Sequence, residues 1–241
     1  MSMFGHTPVV PPRIGRSALH VPDSVLNRFR DAYLPDISDA VGALYTMTPE
    51  IRQLYVGAPR IVGRALTVKA PPGDNLTVHG ALARVHPGDV LVIDWRGYTA
   101  GCATGAGSLI APIEAGLVGA IVDGGWRDVG EVRALRFPVY ARAVAAFSPP
   151  KARIGEINVP VACGGVVVNP GDVVVADEEG IAVVPAAEAA SVADALRSYT
   201  PRKRLEDWPV DELRLTAAER ARMFAVAFAA AGGLDGGNPD A

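Results

Sequence analysis

The sequence predicts an α/β fold, in which short buried strands alternate with helices. Three observations indicate this class. Apolar runs rich in β-branched residues recur along the chain, turns containing Gly or Pro separate them, and segments with the apolar spacing of helices lie between them. The 241 residues, of which 49% are hydrophobic, are enough to bury a substantial core. We therefore expect several strands packed as a layered or barrel-like unit.

We divide the chain into three regions. Residues 1–22 are rich in Pro and Gly and predict an extended arm, residues 23–185 carry the α/β alternation, and residues 186–241 predict a helical extension. The predicted helices cover 22–34, 38–44, 76–85, 108–115, a segment from about 128, 186–199 and 210–231. The predicted strands cover 61–70, 117–122, 138–141, 159–168, 181–184 and the apolar runs that end at 94 and 177.

Two of these strands follow nearly identical turns. The segments HPGDVLVIDWRG (86–97) and NPGDVVVADEEG (169–180) each contain a Pro-Gly-Asp turn, an apolar strand, an Asp, two residues and a Gly. We interpret them as one turn-and-strand arrangement that occurs twice, since a Pro-Gly turn fixes how the chain enters a pleated strand. The match is too short to indicate an internal duplication. Asp94 and Asp177, at the strand ends, are predicted to fix turns.

Charge and cysteine content exclude several classes of function. The formal net charge of −3 gives no electrostatic basis for binding nucleic acid or an acidic membrane surface. Cys102 and Cys163 are far apart and in no metal-binding spacing, which predicts a reduced, cytoplasmic protein. Because the chain has neither a secretory leader pattern nor an apolar run of membrane-spanning length, we expect no membrane partner.

The stretch GAIVDGGWRDVGEV (119–132) contains the strongest candidate site. Arg127 and Asp128 directly follow a buried strand, at the edge where open α/β sheets usually bind ligands. Asp128 and Glu131 are three residues apart at a helix start, so both carboxylates can face one Mg²⁺ ion, which needs only one or two. Arg127 would pair with a carboxylate. The alternative interpretation is a turn ion pair, with Asp128 as a helix N-terminal acid.

A glycine-rich segment, YTAGCATGAGS (98–108), precedes a helix predicted to start at Ser108. The free backbone N–H groups of such a helix start favour anions. Combined with Arg127 and the two carboxylates, this segment predicts a pocket for a small 2-oxo acid bound to a metal ion.

Several segments resemble the RraA-like family from about Asp36 to Pro185, and the R-D-x-x-E/D element is the most specific of them. The similar segments are GDNLTVHGAL (73–82), PGDVLVID (87–94), the Gly-led helix start at Gly107, GLVGAIVDGGWRDVGEV (116–132) and NPGDVVVADEEGIAVVP (169–185). The family includes metal-dependent class II 4-hydroxy-4-methyl-2-oxoglutarate aldolases, oxaloacetate decarboxylases and a non-enzymatic regulator of ribonuclease E. The resemblance implies a swivelling β/β/α domain with flanking helices, assembled as a homotrimer or homohexamer.

The resemblance also implies roles for individual residues. Arg127 and Asp128 would be the catalytic residues: Arg127 would bind the substrate carboxylate and Asp128 would ligate a divalent cation, Mg²⁺ first and Mn²⁺ second. Glu131 would reach that cation through water. The backbone N–H groups expected to bind the same substrate carboxylate belong to Gly107, Ser108, Leu109 and Ile110.

Ser108 departs from the family pattern, which has an acidic residue there that orders metal-bound water for proton transfer. The family's aldolases also use a glutamate from the neighbouring subunit's tail, for which Glu212 is the candidate in this chain. The spacing from Gly107 to Arg127 is about one residue shorter than the family's.

The function expected from this resemblance is a divalent-metal-dependent lyase. It would cleave a 4-hydroxy-2-oxo acid with release of pyruvate, decarboxylate oxaloacetate, or do both, because the two reactions share a metal-stabilised pyruvate enolate. The alternative is a non-enzymatic, protein-binding regulator similar to the ribonuclease E inhibitor. The Arg127-Asp128 pair with Glu131 favours the enzyme, whereas Ser108 favours the regulator. We expect structural or surface roles for His79 and His86.

Overall fold

A computed structural model describes residues 10–16 and 20–198, together with 216, 218, 219, 221, 222 and 225. The chain forms two compact units, residues 1–199 and 200–241. Among the described residues, no helix is long and apolar enough to cross a membrane. In the second unit, Thr216 donates its backbone N–H and its hydroxyl to Glu219, as in a helix capping box. Most of the predicted helix 210–231, including Glu212, lies outside the described residues, and the predicted region boundaries stay predictions.

The elements of the first unit follow one another in the predicted alternation. The helices are α1 (Asp23–Arg30), α2 (Leu34–Val41), α3 (Leu76–Leu82), α4 (Ile110–Glu114), α5 (Val129–Ala134) and α6 (Ala189–Ala195). The strands are β1 (Arg52–Gln53), β2 (Ile61–Lys69), β3 (Asp89–Cys102), β4 (Gly119–Trp126), β5 (Val139–Val144), β6 (Glu156–Ile157), β7 (Val161–Cys163), β8 (Val166–Val168), β9 (Val173–Asp177) and β10 (Gly180–Val184). Short 3₁₀ turns cover Ala43–Tyr45, Ala106–Ser108 and Leu196–Ser198.

One mixed sheet organises this unit and confirms the predicted α/β class. Its strand order is β1-β5-β4-β3-β2-β9-β10, and β6 pairs with β2 beside this path. The four central strands β2 to β5 run parallel, whereas β1, β9 and β10 are antiparallel to their neighbours. Strands β7 and β8 form a separate antiparallel hairpin. Every residue of β4 is buried, as expected for a central parallel strand covered on both faces.

Alternating side chains of the central strands point to two different cores. On the helix face, side chains of α3, the 103–109 segment and α5 pack against the sheet; the members include Val78, Leu91, Ile93, Leu109, Val122 and Val132. On the hairpin face, β7 and β8 cover the sheet; the members include Val90, Val92, Ile121, Val161, Val166 and Val168. Helices α1, α2 and α6 pack with β9 and β10 in a third core.

Several predicted boundaries are wrong, among them that of helix 38–44, which is α2 at Leu34–Val41, and two of the errors have clear local causes. The predicted helix 22–34 ends at Arg30, and α2 starts after Tyr33, whose backbone is extended, with Pro35 in its first turn. Proline has no backbone N–H, so it suits the start of a new helix and not the continuation of the old one. The predicted strand 159–168 is two strands, because Gly164 and Gly165 take positive φ angles of 57° and 82° and reverse the chain.

The two Pro-Gly-Asp turns have the same geometry, which confirms that one turn-and-strand arrangement occurs twice. Asp89 and Asp172 each accept a hydrogen bond from the backbone N–H three residues earlier, both at 2.8 Å. The preceding glycines have φ angles of 85° and 86°. Both turns also contact β2 at adjacent positions, since Arg64 N–H donates to Gly88 O at 2.9 Å and Ala65 N–H donates to Asp172 O at 2.8 Å.

Gly63 in β2 and Gly80 in α3 provide a matched test of this packing. A Cβ atom at Gly63 would lie 2.5 Å from the backbone oxygen of Gly88 and 2.7 Å from Cγ2 of Val90. We expect Gly63→Ala to lower the free energy of unfolding by about 1–3 kcal/mol, the usual cost of overpacking. A Cβ at Gly80 meets only Ile157 Cδ1, at 3.6 Å. Gly80→Ala should therefore raise stability by about 0.5–1 kcal/mol. Urea unfolding measures both, and an equal effect of the two changes would contradict this account.

Candidate functional site

Arg127 and Asp128 lie where β4 ends and α5 begins, at the carboxyl edge of the parallel strands. Trp126, directly before them, is fully buried in the helix-face core and anchors the strand end. Asp128 has φ 59° and ψ 43°, a left-handed conformation that Asp tolerates better than most residues. Its side chain makes no capping hydrogen bond to α5. The structure contains the Arg127–Asp128 ion pair of the alternative interpretation, at 3.7 Å, with Asp128 at the N-cap position of α5 but without a capping bond from its side chain.

The Asp128 carboxylate instead contacts the glycine-rich segment across the site. Its Oδ2 atom accepts a hydrogen bond from the backbone N–H of Ala106 at 3.1 Å and lies 3.7 Å from Nε of Arg127. This contact brings together the two segments in which the sequence predicts the site.

Gly105 makes this close approach possible. A Cβ atom on Gly105 would overlap Oδ2 of Asp128 and lie 2.9 Å from Cγ of Arg127. Only glycine leaves room for both side chains at this point. Sequence reasoning missed this requirement, although the three glycines between 101 and 107 were a signal that backbone passes close to another group there.

The loop that follows differs in part from the predicted helix start. Residues 106–108 form a 3₁₀ turn and α4 begins only at Ile110. The N–H groups of Ser108 and Leu109 donate to the carbonyl oxygens of Gly105 and Ala106, at 3.1 and 2.9 Å. Two of the four backbone donors predicted to bind substrate are thus engaged inside the turn. For Gly107 and Ile110, the role in substrate binding stays a prediction.

The Arg127 guanidinium is only partly paired by the described residues. Its side chain is 39% exposed, yet its Nε atom is buried and has no hydrogen-bond partner among the described residues. A buried donor on a charged group is costly when it is left unpaired. A carboxylate brought by a ligand would satisfy it, and guanidinium pairs with carboxylate in a two-point geometry.

Cys102 and Thr104 lie on the segment that enters the site. Burial raises the pKa of the Cys102 thiol, and the nearby Arg127 guanidinium offsets part of that rise. The thiol is therefore protonated at neutral pH, which disfavours a nucleophilic role for Cys102. The hydroxyl oxygen of Thr104 is buried and has no partner among the described residues.

Asp128 and Glu131 are the two carboxylates that the sequence predicts for a divalent cation. Glu131 is exposed in the first turn of α5, three residues after Asp128. Within the part of the chain that the structure describes, no group of three or more His, Cys, Asp or Glu side chains could hold a metal ion. Mg²⁺ needs fewer, since it keeps several waters and takes one or two carboxylates. The second carboxylate oxygen of Asp128 makes no hydrogen bond to a described residue, so it is free to act as a ligand.

The two predicted non-site histidines lie away from this cluster. His79 is half-buried in α3, where burial lowers the pKa of its imidazole, so the ring is neutral at pH 7. His86 has a side chain that is 84% exposed in the turn before β3. Structural and surface roles for these two residues, as predicted, agree with these positions.

Comparison with known proteins gives the same family as the sequence motifs. The model of the RraA-like family, described as Aldolase/RraA, matches residues 34–183. A relative from Halalkalibacterium halodurans, provisionally named as a 4-hydroxy-4-methyl-2-oxoglutarate aldolase, is 39% identical over 160 residues, which are 66% of this chain and 76% of the relative.

Two solved structures share the fold. A protein from Pseudomonas syringae pv. tomato has a TM-score of 0.72 and 26% identity, covering 90% of this chain and 100% of its own. A second structure, described as an unusual member of the RNase ES inhibitor RraA protein family from Streptomyces coelicolor, has a TM-score of 0.67 and 25% identity, covering 75% of this chain and 93% of its own. With the family model matching more than half of its length, this chain belongs to the RraA-like family.

Proposed function

We propose that this protein is a divalent-metal-dependent carbon–carbon lyase that cleaves a 4-hydroxy-2-oxo acid and releases pyruvate. The same site would decarboxylate oxaloacetate, since both reactions leave the same three-carbon enolate. The observation that carries the proposal is the paired geometry of Arg127 and Asp128. The buried Nε of Arg127 makes no hydrogen bond to a described residue and lies 3.7 Å from a carboxylate that accepts the Ala106 N–H. The name of the 39% identical relative supports the same reaction class.

Each residue of the site has a distinct task in this proposal. Arg127 binds and orients the substrate carboxylate, which fixes the neighbouring 2-oxo group relative to Asp128. Asp128 and Glu131 would hold Mg²⁺, or Mn²⁺ in its place. That cation, when bound, would act as a Lewis acid toward the negative charge that develops as the C3–C4 bond breaks. The buried neighbours Cys102 and Thr104 exclude bulk water from one side of the site.

A second candidate function has one observation in its favour. Ser108 places a hydroxyl where the family's lyases have an acid, and a hydroxyl does not accept a proton at neutral pH as a carboxylate does. A protein that binds another protein and performs no chemistry would not need that acid. The solved relative described within an RNase inhibitor family shares this fold. We favour the lyase over the regulator because Arg127, Asp128 and Glu131 are all present.

A pyruvate-release assay separates the two functions. The purified chain is incubated with a panel of 4-hydroxy-2-oxo acids and with oxaloacetate, in the presence of Mg²⁺, Mn²⁺ or EDTA. We expect pyruvate release that requires the cation and is lost in EDTA. Inhibition of a ribonuclease E activity, with no pyruvate from any substrate, would instead establish the regulator.

Ser108→Asp tests the role of the missing acid. The 3₁₀ turn places residue 108 two positions after Ala106, whose N–H contacts Asp128, and the Ser108 side chain is only partly buried. A carboxylate there would accept a proton, so we expect turnover to rise by about 100-fold, the lower end of the usual range for general acid–base catalysis. Equal or lower turnover in a folded variant would show that the proton is handled elsewhere.

We also propose that the protein is a homotrimer or homohexamer. Two apolar side chains near the site, Val144 and Phe147, are 62% and 57% exposed, and Phe147 O accepts a hydrogen bond from Cys102 N–H at 2.8 Å. Exposed apolar groups beside a site favour coverage by another chain. Light scattering at micromolar concentration is expected to give three or six times the 25.1 kDa chain mass. A monomer would contradict both the assembly and any site shared between subunits.

A further inference from the structure

A cavity with charged residues in its wall lies on the opposite face of the sheet from Arg127 and Asp128. Its volume is about 520 Å³, it is open to solvent, and it is lined by the carboxyl ends of β2, β3 and β4 and by the β7–β8 hairpin. A smaller cavity of about 300 Å³, lined mainly by Ala70, Pro71 and Pro72, shares Lys69 and Arg96 with it. Both volumes suit small ligands, and carboxyl edges of parallel strands are common binding positions.

Strand register creates a row of charges along this cavity. Lys69, Asp94 and Asp123 are directly paired neighbours on β2, β3 and β4. Arg142 of β5 extends the row through its ion pair with Asp123. Asp94 and Asp123 are only 6% and 7% exposed, so the negative charges lie deep in the wall.

Both carboxylates of the row are already engaged. Asp94 accepts hydrogen bonds from the backbone N–H groups of Arg96 at 3.1 Å and Ala162 at 3.4 Å. Asp123 accepts one from Gly164 N–H at 2.9 Å and pairs with Arg142 through its other oxygen. Because Ala162 and Gly164 belong to the hairpin, the two acids hold the hairpin against the sheet. The cavity is therefore formed before any ligand binds.

The cations of the cavity, in contrast, are under-paired. The Arg96 guanidinium makes no hydrogen bond or ion pair with a described residue. Its backbone has φ 55°, a left-handed conformation that is unfavourable for a non-glycine residue. Lys69 Nζ lies 3.5 Å from Glu156, but Glu156 also pairs with Arg13 at 2.8 Å, so one carboxylate serves two cations. Arg96, whose side chain is exposed, is therefore a cation of the cavity that no described acid neutralises.

We propose that Lys69 and Arg96 form a binding site for a small organic anion, a carboxylate or a phosphate monoester. The anionic group lies between the two cations, and an apolar portion of the ligand packs against Pro71 and Pro72 in the smaller cavity. The strained backbone at Arg96 presents its guanidinium to this position, and such strain is characteristic of functional sites. This inference does not depend on the lyase activity, because the site lies on the other face of the sheet.

Calorimetric titration of the full chain with succinate and, separately, inorganic phosphate tests the site at low ionic strength. We expect saturable binding of at least one anion, weakened at least tenfold in Lys69→Ala and in Arg96→Asn. Asparagine is chosen because it tolerates the left-handed backbone at that position, so the fold is retained. The anion that binds identifies carboxylate or phosphate as the ligand group.

Arg127→Ala is the matched control, because it removes a cation from the opposite face. It should leave the affinity that depends on Arg96 within twofold of the wild type, whether or not the protein is a lyase. The absence of saturable binding for both anions, or wild-type affinity in Arg96→Asn, would overturn the proposal.

Discussion

Asp128→Asn is expected to abolish metal-dependent pyruvate release, lowering kcat/KM by at least about 100-fold. The amide loses the negative charge that a hard cation requires. It keeps an oxygen that accepts the Ala106 N–H, and asparagine tolerates the left-handed backbone that Asp128 adopts. The variant should therefore fold normally, with a Tm within a few degrees of the wild type.

Kinetics across a range of Mg²⁺ concentrations measure this effect, and Glu114→Gln is the control. Glu114 is an exposed acid at the end of α4 and takes no part in the proposed site. The control should match the wild type. If Asp128→Asn keeps the wild-type rate and the same response to metal, Asp128 is not the ligand and the proposed site is misplaced.

Gly105→Ala should reduce turnover by about 100-fold without removing any functional group. The added methyl would overlap Oδ2 of Asp128 and press on the Arg127 side chain, so both must move. Displacements of about 1 Å at a reacting centre cost rates of that size. Because the two displaced side chains are more than a third exposed, we expect little change in Tm.

Gly130→Ala is the matched control for this change. Gly130 lies in α5, two residues after Asp128, and a Cβ atom there would meet no atom within 4 Å. We expect near wild-type kinetics and slightly higher stability, since alanine favours the helix. Comparable activity losses in both variants would mean that crowding of Asp128 is not the cause.

The position of the site could be predicted from sequence because its determinants are local. One continuous stretch contains the apolar run before Asp123, the glycines after it and the Arg127-Asp128 pair. The end of the strand and the charges beside it can therefore be predicted from the same pattern. The contact between Asp128 and Ala106 could not be predicted. It joins residues 22 positions apart through a tertiary approach that only the absence of a Cβ at Gly105 allows.

The cavity on the hairpin face shows a second kind of limit. Lys69, Asp94 and Asp123 each look like an ordinary charged residue at the end of an apolar strand. They become neighbours only because β2, β3 and β4 pair in parallel at one particular register. A shift of one residue would send each side chain to the other face, and periodicity within a single strand does not determine that register.

The repeated Pro-Gly-Asp turns bear on how ancestry is inferred from internal sequence similarity. The first turn leads into β3, which runs parallel to β2, and the second leads into β9, which runs antiparallel to it. The two similar segments thus precede strands that run in opposite directions. Both turns accept backbone hydrogen bonds from adjacent residues of β2, Arg64 and Ala65. Internal sequence similarity of this length therefore does not require a duplicated half, because docking of both turns on β2 calls for the same turn geometry at each place.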